Sequence, residues 1–363
     1  MKKKVLFLAN HFITLYSFRK ELINKLVEDG NEVFLSLPKD DDNEYFENIG
    51  CKIITTEIDR RGINPIKDIK LLSSYRKMMK EINPDIIFSY TIKPNIYGTL
   101  VSNGKYKQIC NITGTGATFI KENIISKIVK VLYRLSIANC YKVYFQNNGD
   151  KEYFINNRLV KNNYDILPGS GCNTDQYKYS DMPNDDTIRF IYVGRVMKLK
   201  GIDEYIEAAK IIRNKYINTE FIIAGWNEEK EYTDIINKYQ NNGYINYIGF
   251  RKDVQDWINK CNCIVLASHG GEGVPNVLLE ASASGRAIIG SNVNGINDVI
   301  IEGVNGFLFE VYNVNDLVDK IEQFINLSYK DKIELGKNGR KIVEDKFDRK
   351  IVINKYLEEI DKC

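Results

Sequence analysis

At 363 residues the chain is long for one compact core and suits two domains of roughly 150 to 200 residues each. Its composition, 44% hydrophobic and 27% charged with no low-complexity tract, excludes a disordered or fibrous protein. Lys plus Arg number 51 against 48 acidic residues, a net charge of +3, so nothing global argues for nucleic acid as a partner and any electrostatic function is local.

The chain begins Met-Lys-Lys-Lys and continues VLFLA, which has the outward look of a signal peptide. The apolar run is short, however, and soon meets His11, Ser17, Arg19 and Lys20, so it reads as a first buried strand. No segment approaches the roughly 18 consecutive apolar residues of a membrane-spanning helix. The cysteines are scattered, and the one close pair, Cys261 and Cys263, has no Cys or His cluster beside it. Reduced thiols in a cytoplasmic protein, with no metal site and no cofactor, are the expectation.

In chain order the first half alternates KVLFLA, FRKELINKLVEDG, EVFLSL, KIITTEI, LLSSYRKMMKEINP and DIIFSY, a β-α-β rhythm. Leu22 and Leu26 lie on one stripe of a helix that stops at Gly30 before the next strand. After apolar runs at 142–146 and around Ile166, the polar stretch 179–186, with Pro183 and no apolar period, reads as a linker. The rhythm then restarts with IRFIYVGR, GIDEYIEAAKIIRNKY, TEFIIAG, INYIGF, CIVLAS and AIIGSN. The predicted fold is α/β: two Rossmann-like doubly wound domains, residues 1–178 and 187–345, facing a cleft at the carboxyl ends of their strands. Residues 346–363 are expected to form a helix that crosses back to the first domain.

Two segments carry chemistry. In YVGRVMKLKGID a strand ends at Gly194, and a loop bearing Arg195 and Lys200 leads into a helix. Two fixed cations there suit a diphosphate leaving group, whose charge grows as its bond breaks; the same pair also suits an ordinary solvated loop. In SHGGEGVPNVLLEASASG, Glu272 and Glu280 stand eight residues apart. If the stretch between them is mostly helix, both carboxylates face one ligand along its length. Gly271 and Gly273 permit close backbone approach, and the N–H groups of Val274, Asn276 and Val277, beyond Pro275, offer donors to phosphate or a sugar hydroxyl. Glu280 as a surface residue and Glu272 as a capping carboxylate are the plainer alternative.

Together GRVMKLKG and the Glu-x7-Glu of EGVPNVLLEASASG resemble the retaining family 4 glycosyltransferases of the GT-B fold. The likeness extends along nearly the whole chain. FRKELINKL, YTIKPNIYGTL and NITGTGATF resemble the bacterial branch that assembles capsule, O-antigen or glycan repeat units on polyprenyl diphosphate. The resemblance implies a nucleotide-sugar donor, UDP favoured, whose diphosphate is held by Arg195 and Lys200. It further implies that Glu280 takes the ribose, Glu272 positions the transferred sugar, and Gly249, Phe250 and Arg251 lie near the base. No enzymic nucleophile is implied, and no metal.

The first domain is then expected to hold the acceptor, a polyprenyl-diphosphate-linked or growing saccharide. Asn10 and His11 follow its first strand, and Thr91, Lys93 and Asn95 follow DIIFSY. His11 is either a cap or a ligand contact, and Lys93 either solvated or opposite an acceptor phosphate. Neither the surroundings of Thr91 nor the later loop of Gly114 and Gly116 carries a histidine, which weighs against simple histidine activation of the acceptor. Gly114 and Gly116 of TGTGATF read as a flexible cleft loop, because Phe119 stands where a dinucleotide fingerprint needs its third glycine. Beyond it, Lys121, Lys127, Lys130 and Arg134 interleave with Ile125, Ile128, Val131, Leu132 and Leu135. That helix either packs its apolar stripe on the sheet or lies on the inner face of the cell membrane. A nucleotide-sugar epimerase and a non-catalytic nucleotide-sugar-binding subunit are the competing functions.

Overall fold

The apolar runs become strands because each is short, rich in β-branched and aromatic residues, and bounded by polar turns. The computed structural model describes residues 2–59, 62, 64–116, 119, 123–137 and 139–363. Strands β1 (Lys4–Leu8), β2 (Glu32–Leu37), β3 (Lys52–Thr55), β4 (Ile86–Tyr90), β5 (Lys107–Ile112), β6 (Lys142–Phe145) and β7 (Tyr164–Ile166) form a parallel sheet in the order β3-β2-β1-β4-β5-β6-β7. Strands β8 (Ile188–Val193), β9 (Thr219–Ala224), β10 (Asn246–Gly249), β11 (Cys263–Leu266), β12 (Ala287–Ser291) and β13 (Gly306–Phe309) form a second, in the order β10-β9-β8-β11-β12-β13. Central strands such as β4 and β11 are buried along their whole length, as parallel strands covered by helices on both faces must be. In each sheet the strand order reverses once, between β1 and β4 and between β8 and β11, and the loops leaving those strands are the ones a doubly wound sheet offers to a ligand.

The chain divides into two compact units, Met1–Ser170 with Ile351–Cys363, and Gly171–Lys350. The polar stretch 179–186 lies inside the second unit. Its carbonyls are satisfied there: the buried Arg286 donates to Ser180 O at 3.0 Å and Asp181 O at 3.1 Å, and the Tyr329 hydroxyl donates to Met182 O at 2.7 Å. The last helix, Arg349–Asp361, adds buried side chains to the first unit. Tyr356 packs 4.9 Å from Phe88 and 5.7 Å from Tyr144, its hydroxyl bonds Asn111, and Glu359 pairs with Lys142.

One helix of the first unit departs from ordinary packing. In Ile124–Ile137, Ser126, Tyr133, Ser136 and Ile137 face the core, while Ile124, Ile125, Ile128, Val131 and Leu135 are exposed, Ile124 by 77%. Ile124, Ile128, Val131 and Leu135 recur at the spacing of a single helix face, so the stripe points away from the unit's core. Lys121 lies outside the described residues. Among the described residues no helix is long and apolar enough to cross a membrane.

Candidate active site

In the second unit the loops leaving β8 and β11 flank the reversal of strand order. Gly194 continues the ladder, its N–H donating to Ala224 O at 3.0 Å. Arg195 follows, with Nη1 3.8 Å from Glu228 Oε1, and Glu228 also receives the Trp226 indole N–H at 2.8 Å. A tight turn at Lys198–Lys200 brings Lys200 against Glu272, an ion pair with both side chains largely buried. The two loops are thus joined through opposite charges contributed by each.

Backbone contacts hold them at that distance. The His269 N–H donates to Leu199 O at 2.9 Å, and Gly201 passes Ala267 so closely that a Cβ would stand 1.9 Å from its carbonyl oxygen. Behind Glu272, Gly295 adopts φ +86°, and a Cβ there would meet Gly273 O at 1.6 Å and Glu272 O at 3.0 Å. Any side chain at 295 therefore displaces the segment that carries Glu272.

The two glutamates do not share a helical face. The helix Asn276–Ala283 begins only after Pro275, whose carbonyl accepts from Leu278 N at 3.1 Å, so Glu272 sits on the glycine-rich loop before it. Glu280 keeps different company. Part of it reaches the surface, but burial around its carboxyl pushes its pKa up to about 7, opposed by the charge of Arg349 and by the Tyr177 hydroxyl. Arg349 is anchored on Gly171 O through Nε at 3.2 Å and Nη2 at 3.0 Å, and Asn276 Nδ2 reaches the same oxygen at 3.4 Å. Val274 is a core residue, with Val277 packed beside it. At the ends of β9 and β10, Gly225 N–H donates to Gly249 O at 2.8 Å. The exposed rings of Trp226 and Phe250 lie 5.5 Å apart, and Arg251 makes a bidentate pair with Asp253 at 2.8 and 2.7 Å.

Sequence reasoning passed over Trp226, Glu228 and His269. The first two follow the run TEFIIAG, whose pattern marks only a strand, although one of the chain's two tryptophans directly after a strand's carboxyl end is a usable signal. His269 stands within SHGGEG, where nothing in the sequence separates it from a solvated loop histidine.

In the first unit the corresponding loops follow β1 and β4. His11 caps the helix Phe12–Glu28, its Nδ1 accepting from Ile13 N at 3.1 Å, so the neutral ring carries its proton on Nε2. Asn10 lies beside it, partly buried. Thr91 caps the helix Ile92–Ser102 with φ +71°, a left-handed conformation that a β-branched residue rarely adopts, and its Oγ1 is buried without a hydrogen-bond partner among the described residues. Lys93 is paired with Asp68 at 2.6 Å, both side chains mostly buried, and Asn95 is buried, bonded to Ser89 and Asn111 O. Gly114 and Gly116 follow β5 in the loop whose next two residues lie outside the described set. Among the described residues no group of three or more His, Cys, Asp or Glu is placed to hold a metal ion.

A parallel sheet whose order reverses between a loop bearing two cations and a loop bearing a carboxylate sets charged side chains where doubly wound α/β sheets receive their ligands. Residues 174–342 match the family described as Glycosyl transferases group 1, and residues 4–147 match Glycosyl transferase 4-like. The chain belongs to these glycosyltransferases, of family 4 type and GT-B fold. It is 26% identical, over 98% of both chains, to the N,N'-diacetylbacillosaminyl-diphospho-undecaprenol alpha-1,3-N-acetylgalactosaminyltransferase of Campylobacter jejuni. It is 27% identical, over 78% of this chain and 79% of the other, to the UDP-Gal:alpha-D-GlcNAc-diphosphoundecaprenol alpha-1,3-galactosyltransferase of Escherichia coli. The crystal structure of Anabaena Alr3699/HepE in complex with UDP and glucose superposes with a TM-score of 0.80 at 16% identity, over 99% of this chain and all of the other.

Proposed function

We propose that this glycosyltransferase moves a hexose or N-acetylhexosamine from a UDP-sugar, with retention of configuration, onto a polyprenyl-diphosphate-linked saccharide in the assembly of a bacterial surface glycan. The observation that carries this reading is the charge arrangement at the β8/β11 reversal, where Arg195 and Lys200 are each held by a carboxylate. The activities named for the Campylobacter and Escherichia relatives support the lipid-linked acceptor class and, in the second, UDP.

A diphosphate entering this edge exchanges partners with both cations: Arg195 turns from Glu228 and Lys200 from Glu272 toward phosphate oxygens. Glu272, freed of its cation, accepts hydroxyl hydrogens of the transferred sugar and orients it. Glu280 accepts from the ribose hydroxyls, and the Trp226–Phe250 pair offers a flat face to the base. As the bond from the anomeric carbon to the phosphate oxygen breaks, the negative charge growing on that oxygen is stabilised by the two fixed cations. The acceptor hydroxyl attacks from the same face, forming the new carbon–oxygen bond and passing its proton to the departing phosphate. No enzyme nucleophile is required.

The membrane reading rests on the helix Ile124–Ile137. Its exposed apolar stripe is flanked on one side by Lys127, Lys130 and Arg134, the arrangement of a helix lying in an anionic interface. Vesicles containing phosphatidylglycerol are expected to sediment the protein, and Ile128→Asp with Val131→Asp to abolish sedimentation. Equal sedimentation of the double variant overturns this placement.

The transfer itself is tested with purified protein, UDP-glucose, UDP-galactose, their N-acetylamino counterparts and GDP-mannose, against lipid-linked mono- and disaccharides. Acceptor-dependent UDP release with the matching gain in product mass is the expected result. Isomerised donor without acceptor, or binding without turnover across the panel, overturns it.

A further inference from the structure

We propose that His269 is a positioning residue for transfer: its imidazole, bonded to Glu204 and packed against Tyr312, fixes the loop that sets Glu272 against Lys200. The inference rests on the donor-site reading above and goes beyond it, since His269 touches none of the groups assigned to the donor.

The ring is only 5% exposed, and its Nε2 lies 2.9 Å from Glu204 Oε1, on a side chain 8% exposed. The other carboxylate oxygen of Glu204 is buried without a hydrogen-bond partner among the described residues, so the imidazole N–H is what holds this acid in place. Tyr312 packs against the ring, its centroid 4.1 Å from the imidazole, on a backbone held at φ +65°. A buried carboxylate bonded to a buried imidazole fixes the ring's rotamer and its tautomer together.

The strut joins the two loops at their roots. Glu204 lies in the first turn of the helix Ile202–Lys215, directly after Lys200, and His269 opens the loop that leads to Glu272. Their backbones meet as well. His269 N–H and Ser268 Oγ converge on Leu199 O at 2.9 and 3.4 Å, and the Ser291 hydroxyl holds Ser268 O. Removing the imidazole leaves Glu204 buried and unpaired. The backbone bonds alone then keep Glu272 in register with Lys200.

The test compares His269→Ala, His269→Gln and His269→Asn. Gln carries an amide N–H out to the position of Nε2, whereas Asn falls short of Glu204. With the UDP-sugar turned over by the wild type, His269→Ala and His269→Asn are expected to lower kcat about 10- to 100-fold, the cost of a misplaced reactive group. The Kd for UDP should stay within about threefold, because the diphosphate contacts of Arg195 survive, and His269→Gln should recover most of kcat. Hydrogen exchange in the uncomplexed protein, which needs no activity, should quicken at residues 198–201 and 269–274 in the Asn variant and not in the Gln variant. Unchanged exchange in those segments, equal kcat for Gln and Asn, or UDP affinity falling in step with kcat each overturns the proposal. Should His269→Ala fail to fold, the Gln and Asn pair makes the same comparison. A wild type that transfers no sugar fails the functional reading instead, and the exchange result still decides this one.

Discussion

The two units repeat one topology and arm it differently. In each, the chain leaves the first and fourth strands at the point where the strand order reverses. In the second unit those loops carry Arg195, Lys200 and Glu272, while in the first they carry Asn10, His11, Thr91 and Lys93. The charges of the second unit stand near carboxylates that a diphosphate can replace. In the first unit the one cation among those residues, Lys93, is paired with Asp68 at 2.6 Å, beside a histidine that caps a helix and a buried, strained threonine. The two reversals therefore differ in charge, and that difference lies in a few loop residues rather than in the fold.

If charge is what distinguishes the second unit, removing it has the largest effect. Lys200→Ala or Arg195→Ala is expected to lower kcat about 100- to 1,000-fold, the scale of losing one group that stabilises a developing oxyanion. Circular dichroism should remain unchanged, and turnover within about threefold of wild type would remove the diphosphate role. Next comes Gly295→Ala. Its Cβ meets Gly273 O at 1.6 Å and so pushes the Glu272 loop without touching any charge. It is expected to cost about 1–3 kcal/mol of stability, read by urea unfolding, and to lower turnover at least about tenfold. Wild-type turnover in that variant would mean the ion pair needs no fixed register.

The topology was readable because parallel strands buried on both faces write themselves as continuous apolar runs, KVLFL, IIFSY and CIVL among them. Arg195, Lys200 and Glu272 drew notice because they follow such runs at glycine-marked turns, and Glu280 because it stands eight residues beyond Glu272. What supports them was not. Glu204 is separated from His269 by three strands' worth of chain, and Gly295 from Gly273 by a helix and a strand, so their contacts exist only after the sheet is assembled. The spacing of Glu272 and Glu280 suggested one helical face, and the helix in fact starts at Asn276 because Pro275 precedes it. The apolar stripe of the helix Ile124–Ile137 was visible in sequence, but its direction was not. Periodicity tells that a face is apolar, and only packing tells whether it is covered.

Glu280 sharpens the comparison at lower amplitude. An acid whose pKa is raised from the ordinary carboxylate range to about 7 binds its proton more tightly folded than unfolded. The resulting stability is fully present below the unfolded pKa, falls as pH rises, and is lost once pH passes about 7. Ionised, the buried carboxylate costs on the order of 3 kcal/mol. Glu280→Gln is therefore expected to raise the melting temperature by several degrees at about pH 8 and by much less at about pH 5, while weakening UDP binding roughly tenfold. A melting temperature that rises equally at both values would show that the gain does not come from the charge.

The smallest effect separates the two roles left to His11. As an N-cap it contributes about 1 kcal/mol to the helix Phe12–Glu28, and Asn caps as well as any residue. His11→Ala is expected to lower stability by that amount, whereas His11→Asn keeps the cap and removes only the Nε2 donor. If this edge of the first unit meets the acceptor, His11→Asn should raise the acceptor KM about threefold to tenfold with UDP affinity unmoved. If it leaves KM as in the wild type, the histidine is a cap alone, and the acceptor edge contracts to Asn10, Thr91 and the loop of Gly114 and Gly116. A rise in the Kd for UDP would instead place the imidazole against the donor, and the two reversals could then no longer be divided into one for each substrate.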